Sequence, residues 1–255
     1  MIGLPIASMI GGMMTPAGSP LNLLGVGFLE DAGTPVTFIE WMAVAIPISL
    51  IALVAAWFII SRVFEPAQIT EEKAREYIES LQIPNRFDRK EKSVCIILVT
   101  MVILWILSSW FPMFNVTIVG TIGFGLLFFP GINVLTWDEY VKHVSWSSYF
   151  LIGCMMTFGN ALNKSGVSEW LVGGLFSDQM NLPVVLIVLI VCLLVFVLLI
   201  PIPIGPALIS ILGLPFITLA QTWGLSPTVL ILPLVLCAAN CYLLPLDTVP
   251  LLTYA

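Results

Sequence analysis

The sequence predicts an all-α, polytopic membrane protein, and three observations lead to that fold class. Of the 255 residues, 59% are hydrophobic and only 9% are charged, whereas roughly a quarter of the residues in an average soluble domain are charged. The apolar residues form runs long enough to cross a bilayer, for which a helix needs about 20 residues. Prolines interrupt the first and the last of these runs, which predicts two broken helices lined by protein or water.

The clearest interruption lies in the last apolar run, Val229–Ala255. Pro245 and Pro250 cannot both sit in an unbroken helix, because each lacks a backbone donor and crowds the preceding turn. Asp247 between them is the only carboxylate after Asp178. An ionisable residue at membrane depth usually marks a pathway, a relay or a binding site. The alternative interpretation is a proline kink from which Asp247 reaches the membrane surface.

The first apolar run is interrupted in a matching way. Residues 16–19 correspond to residues 245–248 at one constant offset, with a proline, then Gly or Asp two residues later, then a hydroxyl residue. Two interrupted hydrophobic segments in corresponding positions are the best sequence indication of the binding site of a secondary transporter. Ser19 is placed as an N-cap with Pro20 at the first helical position, so we expect a second half-helix to begin there.

Between these interruptions the hydropathy pattern predicts further helices separated by polar loops. Membrane helices are predicted at 38–63, 94–111, 116–129 and 146–162. Polar loops are predicted at 65–93, with a short amphipathic helix at 71–81, and at 136–145, and a surface helix is predicted at 168–176. Seven of the nine Lys and Arg residues fall between Arg62 and Lys92, so this loop is predicted to be cytoplasmic.

Val184–Ile200 is the most apolar stretch, and it ends at a cluster of three prolines and a glycine between Pro201 and Pro206. Ala207–Leu219 is apolar again. Two interpretations remain open. The length of the first arm favours a full crossing followed by a shorter one, whereas the proline cluster favours a re-entrant hairpin with an irregular tip. The final broken helix is then expected to begin at about Pro227.

These elements divide the chain into three predicted parts. They are a broken helix plus a transmembrane helix at 1–63, a cytoplasmic loop at 64–93, and a second-repeat membrane region at 94–255, with the hairpin at about 183–219 and the broken helix at about 227–255. The lipid bilayer is the expected surrounding and nucleic acid is not an expected partner. An intramembrane aspartyl protease would need a second membrane carboxylate beside Asp247, and none is evident.

The stretch from Trp146 to Trp170, WSSYFLIGCMMTFGNALNKSGVSEW, resembles the divalent-anion:sodium symporters, which carry carboxylates and sulfate. The segment from Ala7 to Asn22, with Thr15-Pro16 and Gly18-Ser19-Pro20-Leu21-Asn22, is similar to the first broken helix of that family. The segment from Leu244 to Thr248 is similar to its second broken helix. The likeness covers nearly the whole chain.

The resemblance implies a transporter and not an enzyme. It implies cation-coupled symport of a small anion such as a dicarboxylate, a tricarboxylate or sulfate, with sodium or a proton as the coupling ion and no other cofactor. A multi-pass protein of the plasma membrane, homodimeric when complete, is also implied. The resemblance further implies that this chain begins after a first hairpin and stops within the second broken helix. A transport-inactive fragment and an anion channel remain alternatives.

The family's site residues carry over to both interruptions and to the hairpin tip. The resemblance implies substrate contacts at Ser19, Pro20, Pro206 and Thr248, and cation contacts at Gly18, Gly205 and Asp247, with sodium possible at Gly18 and Asp247. The tip Ile204–Ala207 takes the place of the family's Ser-Asn-Thr-like tip. A carboxylate at Asp247 would strengthen a cation site or carry a proton instead.

Overall fold

The computed structural model describes residues 3–64, 80, 88–111, 114–132, 134–144, 146–167, 170, 173–174, 182–202 and 204–240. Within these ranges the chain forms ten α-helices and no strand, which agrees with the predicted all-α class. The helices are α1 Gly3–Gly12, α2 Pro20–Asp31, α3 Phe38–Val63, α4 Arg89–Leu107, α5 Val116–Leu127, α6 Trp137–His143, α7 Trp146–Lys164, α8 Val184–Leu198, α9 Gly205–Thr222 and α10 Thr228–Ala238. A 3-10 turn, Pro16–Gly18, lies between α1 and α2.

The chain forms two compact units. The first contains Met1–Ala56 and Ser145–Ala255, and the second contains Trp57–Val144. In the second unit α4 packs against α5, where Gly123 leaves room for the side chain of Met101. The candidate site lies in the first unit.

The core of the first unit is built around α9 and α10. Helix α9 packs against α7, α10 and α2, and α10 also packs against α8 and α2. Most residues of α9 and α10 are buried, including Leu208, Leu212 and Phe216 on α9. Since α10 has apolar neighbours on several sides, it is apolar all round rather than amphipathic.

Two helices of this unit end in the same hydrogen-bonded motif. After α2, Gly33 adopts a φ of 74°, and the Thr34 amide donates to the Leu29 carbonyl at 2.9 Å. After α9, Gly224 adopts a φ of 69°, and the Leu225 amide donates to the Ala220 carbonyl at 2.8 Å. These are Schellman ends, in which a left-handed residue, usually glycine, turns the chain so that the last carbonyls are satisfied.

Helix lengths bear on the membrane prediction. By length and composition, α3 and α9 are the two described helices that could each cross a bilayer. Helices α1, α5, α8 and α10 are apolar but shorter. With its 15 residues, α8 is about 22 Å long, less than the roughly 30 Å of a hydrocarbon core.

Several predicted boundaries were close. Helix α3 has the predicted bounds of 38–63, and α10 begins one residue after Pro227. Helix α5 ends at Leu127, two residues before the predicted end, and α7 extends two residues beyond the predicted residue 162.

Two predicted loops were partly wrong, because capping boxes start helices in polar sequence. Helix α4 begins at Arg89 rather than at residue 94, and Asp88 and Glu91 form its capping box. The predicted loop 136–145 contains helix α6, which is started by a box of Thr136 and Glu139. In such a box two side chains satisfy amides that the first turn leaves unpaired. The hydrogen bonds from the Thr136 amide and hydroxyl lower the pKa of the Glu139 carboxyl.

The predicted irregular tip at 204–207 also needs correction. Gly205 and Pro206 occupy the first turn of α9, where proline costs no hydrogen bond because the first amides have no partner within the helix. Helix α10 ends at Ala238, before the predicted proline interruption. The predicted surface helices at 71–81 and 168–176 fall mostly outside the described residues, and the interruption at 245–250 falls entirely outside them.

Candidate functional site

The two ends of the interruption between α1 and α2 are in direct contact. Helix α1 ends at Gly12, and the 3-10 turn ends at Gly18. The two residues are so close that a Cβ atom on Gly18 would overlap the Gly12 carbonyl oxygen. The same Cβ would lie 3.1 Å from Thr15 Oγ1. The Gly18 position therefore excludes a side chain, because backbone packs directly on backbone there.

Ser19 begins α2 in the predicted way. Its backbone is extended, its hydroxyl accepts a hydrogen bond from the Leu21 amide at 3.2 Å, and Pro20 is the first helical residue. The prediction of an N-cap at Ser19 is confirmed. The first turn of α2 thus starts immediately after the 3-10 turn, so its remaining amides lie beside the interruption.

Asn22 connects the two sides of this interruption. Its side-chain Nδ2 donates to the carbonyl oxygens of Gly12 and Thr15, each at 2.8 Å. In a continuous helix the Gly12 carbonyl would accept from residue 16, but Pro16 has no amide hydrogen. The Asn22 side chain supplies that missing donor. Its Oδ1 atom is buried and has no partner among the described residues.

The first turn of α9 meets both α2 and the end of α10. Gly205 is buried, and a Cβ atom there would lie 2.6 Å from the Ala238 carbonyl oxygen and 3.1 Å from Leu21 Cδ1. Leu21 belongs to the first turn of α2, so the N-termini of α2 and α9 are neighbours. Ile204, the N-cap of α9, provides no side-chain cap.

A second buried asparagine joins the end of α10 to the first interruption. Asn240 Nδ2 donates to the Leu236 carbonyl at 2.7 Å and to the sulfur of Met13. Met13 directly follows α1, and its carbonyl accepts a hydrogen bond from Trp41 Nε1 at 3.0 Å. Met13 therefore contacts α10 through its side chain and α3 through its backbone.

The electrostatics of this region come from the backbone. No Asp, Glu, Lys, Arg or His occurs in Met1–Leu29 or in Val184–Asn240. Two helix N-termini, each equivalent to roughly half a positive charge, meet the carbonyl end of α10. Such a site offers amides to an anion and carbonyl oxygens to a cation without a formal protein charge.

The structure brings together five of the seven predicted site residues in this region. Gly18 and Pro20 are exposed, Ser19 and Pro206 are half-buried, and Gly205 is buried against α10. Gly205 thus has an evident packing role, whereas its predicted cation contact stays a prediction. Asp247 and Thr248 lie outside the described residues.

Sequence reasoning gave no role to three residues that join these elements, namely Met13, Asn22 and Asn240. Asn22 belonged to the segment that carried the resemblance, yet no function was inferred for it. A usable signal was present, since a polar amide inside an apolar run is costly unless it is hydrogen-bonded. Asn22 and Asn240 each interrupt such a run.

Comparison with known proteins supports the resemblance. Residues 1–254 match the family model described as the sodium:sulfate symporter transmembrane region. The chain belongs to this family. The sodium:sulfate symporter family consists of multi-pass membrane transporters and not of enzymes.

Curated relatives carry the names of several anion transporters. Human solute carrier family 13 member 4 is 24% identical, over 98% of this chain and 47% of the relative. The sodium-dependent dicarboxylate transporter SdcS of Staphylococcus saprophyticus is 26% identical, over 96% of this chain and 50% of the relative. The citrate/succinate antiporter of Escherichia coli K12 is 24% identical, over 66% of this chain and 34% of the relative. The chain spans about half the length or less of these relatives.

Proposed function

We propose that the protein is a secondary active transporter that couples the movement of a cation, sodium or a proton, to the symport of a small anion. One observation carries the proposal. The first interruption, the N-terminus of α9 and the C-terminus of α10 meet around Gly205, with Leu21 on one side and the Ala238 carbonyl on the other. Helix ends that meet inside a membrane protein are the usual construction of a transporter's substrate and ion sites.

The anion would bind at the two neighbouring helix N-termini. Amides in the first turn of a helix and the positive end of its dipole attract carboxylate or sulfate oxygens. Ser19 and Pro20 begin α2, and Pro206 lies in the first turn of α9. We propose that these three residues, together with Thr248, line the anion site.

The coupling cation would bind to oxygen atoms of the interrupted segments. Sodium, a hard cation, is suited by carbonyl, hydroxyl and carboxylate oxygens. The first interruption has carbonyl oxygens at Gly18 and Thr15 and a hydroxyl oxygen at Thr15. We propose cation contacts at Gly18, Gly205 and Asp247. A carboxylate at Asp247 would either contribute to a sodium site or take up a proton.

The finer features of the proposal follow from the family and from the relatives' names. We propose that α1 and α2 are the halves of one broken membrane helix, and that α10 begins a second. We propose that residues 183–219 form a re-entrant hairpin. The named relatives favour a dicarboxylate, a tricarboxylate or sulfate as the anion. A homodimer in the plasma membrane, with the loop 64–93 in the cytoplasm, completes the proposal.

Uptake into proteoliposomes containing the full-length protein tests this function. Radiolabelled succinate, citrate and sulfate are offered separately, with an inward sodium gradient, with an inward proton gradient and with neither. We expect saturable accumulation of at least one anion that requires one of the gradients. Non-saturating flux that only follows the anion's own gradient would indicate a channel. No flux of any of the three would contradict the proposed function.

Asp247→Asn separates the two coupling ions, because it keeps the side-chain size and removes the charge. If sodium is the coupling ion, the variant should need more sodium for half-maximal uptake. If a proton is the coupling ion, uptake should instead lose its pH dependence. Unchanged rate, sodium dependence and pH dependence would remove Asp247 from the mechanism.

A further inference from the structure

The buried side chain of Asn22 forms two hydrogen bonds to backbone carbonyl oxygens of the first interruption. It is fully buried in the first turn of α2, and its Nδ2 bonds two carbonyl oxygens on the far side of the interruption. An unpaired buried carbonyl costs about 1–3 kcal/mol, so the bond to the Gly12 carbonyl, whose helical donor is missing, matters to the conformation of the segment. Pro16 and Pro20 cannot act as donors in this place because neither has an amide hydrogen.

The orientation of the Asn22 amide follows from its neighbours. Both groups facing it, the Gly12 and Thr15 carbonyls, are acceptors, so only the NH2 end can point toward them. The Thr15 carbonyl also accepts from the Gly18 amide at 3.0 Å. The Asn22 side chain and the Gly18 amide therefore hold the same peptide group, and this links the start of α2 to the 3-10 turn.

The segment held in this way includes the proposed cation ligand Gly18. A Cβ atom on Gly12 would lie 3.2 Å from the Gly18 carbonyl oxygen, so the two ends of the interruption are in direct contact. Rotation of the peptide group at Gly12 or at Thr15 would move the Gly18 carbonyl oxygen. The bonds from Asn22 oppose such rotation.

We propose that Asn22 is a positioning residue for sodium. Its Nδ2 fixes the Gly12 and Thr15 carbonyls, and the carbonyl oxygens of the segment up to Gly18 thereby keep the arrangement that binds the ion. The inference rests on the proposed function with sodium as its coupling ion. Asn22 acts through the backbone of the interruption and need not touch the transported anion.

Asn22→Asp tests the proposal, because it has almost the same shape and, when ionised, no donor. At pH 8 we expect the sodium concentration for half-maximal sulfate uptake in proteoliposomes to rise at least fivefold relative to the unsubstituted protein. Succinate replaces sulfate if sulfate is not carried. A buried carboxyl facing two carbonyl oxygens has a raised pKa, and its protonated form can donate one hydrogen bond. We therefore expect the difference from the unsubstituted protein to shrink at pH 5.5.

Asn115→Asp is the matched control. Asn115 Oδ1 accepts from the Thr117 amide at 2.8 Å, so its side chain is used as an acceptor and an aspartate serves equally well. We expect the half-saturating sodium concentration of this variant to equal that of the unsubstituted protein at both pH values. Melting temperatures of all proteins in detergent at both pH values report whether folding has changed.

The outcomes separate the inference from the function on which it rests. Absence of uptake by the unsubstituted protein overturns the proposed function. Gradient-driven uptake that does not need sodium overturns only the inference about Asn22. Asn22→Asp with an unchanged half-saturating sodium concentration, whether its maximal rate is normal or reduced, also overturns the inference. If Asn22→Asp does not accumulate in the membrane, Asn22→Ser is measured instead, because its side chain keeps one donor. We expect Asn22→Ser to raise the half-saturating sodium concentration by a smaller factor. An unchanged concentration overturns the inference.

Discussion

Trp41 and Met13 illustrate how single hydrogen bonds organise this apolar protein. Trp41 is fully buried on α3, and its indole Nε1 donates to the Met13 carbonyl at 3.0 Å. That carbonyl lies in the interruption after α1, where helical partners are missing. A buried indole normally needs a partner for its N–H group, so both residues gain from the bond.

Trp41→Phe should lower the stability of the protein by about 1–3 kcal/mol, because the Met13 carbonyl loses this donor in a buried position. Trp57→Phe is the control on the same helix, since Trp57 is 69% exposed. Its effect should stay within about 0.5 kcal/mol. Thermal unfolding in detergent, followed by circular dichroism, measures both. Equal melting temperatures of the two variants would contradict the role given to Trp41.

Packing between helices in the first unit depends on glycine at the points of closest approach. Gly25 on α2 faces the side chain of Val235 on α10, and Gly213 on α9 faces the ring of Phe28 on α2. Small residues at such contacts let helices approach closely, which membrane proteins use because lipid provides no hydrophobic drive between helices. These contacts hold the helix ends of the candidate site together.

Gly25→Ala and Gly27→Ala should have opposite effects on stability. A Cβ atom on Gly25 would overlap the Val235 side chain, which is stiff because it is β-branched, and such overpacking costs about 1–3 kcal/mol. Gly27 has no atom within 4 Å of the same position, and its replacement in a helix should gain about 0.5–1 kcal/mol. Melting temperatures in detergent compare the two. A loss of stability in both variants would contradict the packing argument.

Across the first unit, the arms of the proposed hairpin are both held by α10. Helix α8 packs against α10 and so does α9, while α8 and α9 make few direct contacts within the described residues. Helix α8 is short for a full crossing, and Ile202 and Ile204 between the arms are partly accessible. The re-entrant segment stays a proposal, and it predicts that the turn between α8 and α9 is reached from one side of the membrane.

Cysteine labelling tests that arrangement. Single cysteines at Ile202 and Ile204, introduced into the full-length protein without its own cysteines, should react with an impermeant thiol reagent added outside the cell. A cysteine at Lys92, near the start of α4 and on the side predicted to be cytoplasmic, is the control and should react only after the membrane is opened. Labelling of the Ile204 position from the cytoplasm alone would mean a full crossing and would contradict the hairpin.

Local sequence patterns determined much of the helical architecture. The predicted bounds of α3 and the N-cap at Ser19 are confirmed, because apolar run length and cap chemistry act over a few neighbouring residues. Polar helix starts were missed at Asp88 and Thr136, where capping boxes lie within sequence that hydropathy alone assigns to loops.

The amino-acid sequence alone therefore determined the fold class, the family and the position of the first interruption. These depend on composition, on run length and on local donors, all of which can be read along the chain. Tertiary packing alone determined that Gly205 meets Leu21 and Ala238, and that Asn240 reaches Met13, 227 residues away. The physical reason is that such contacts depend on how helices pack, and no local pattern records which buried amide will meet which carbonyl or sulfur.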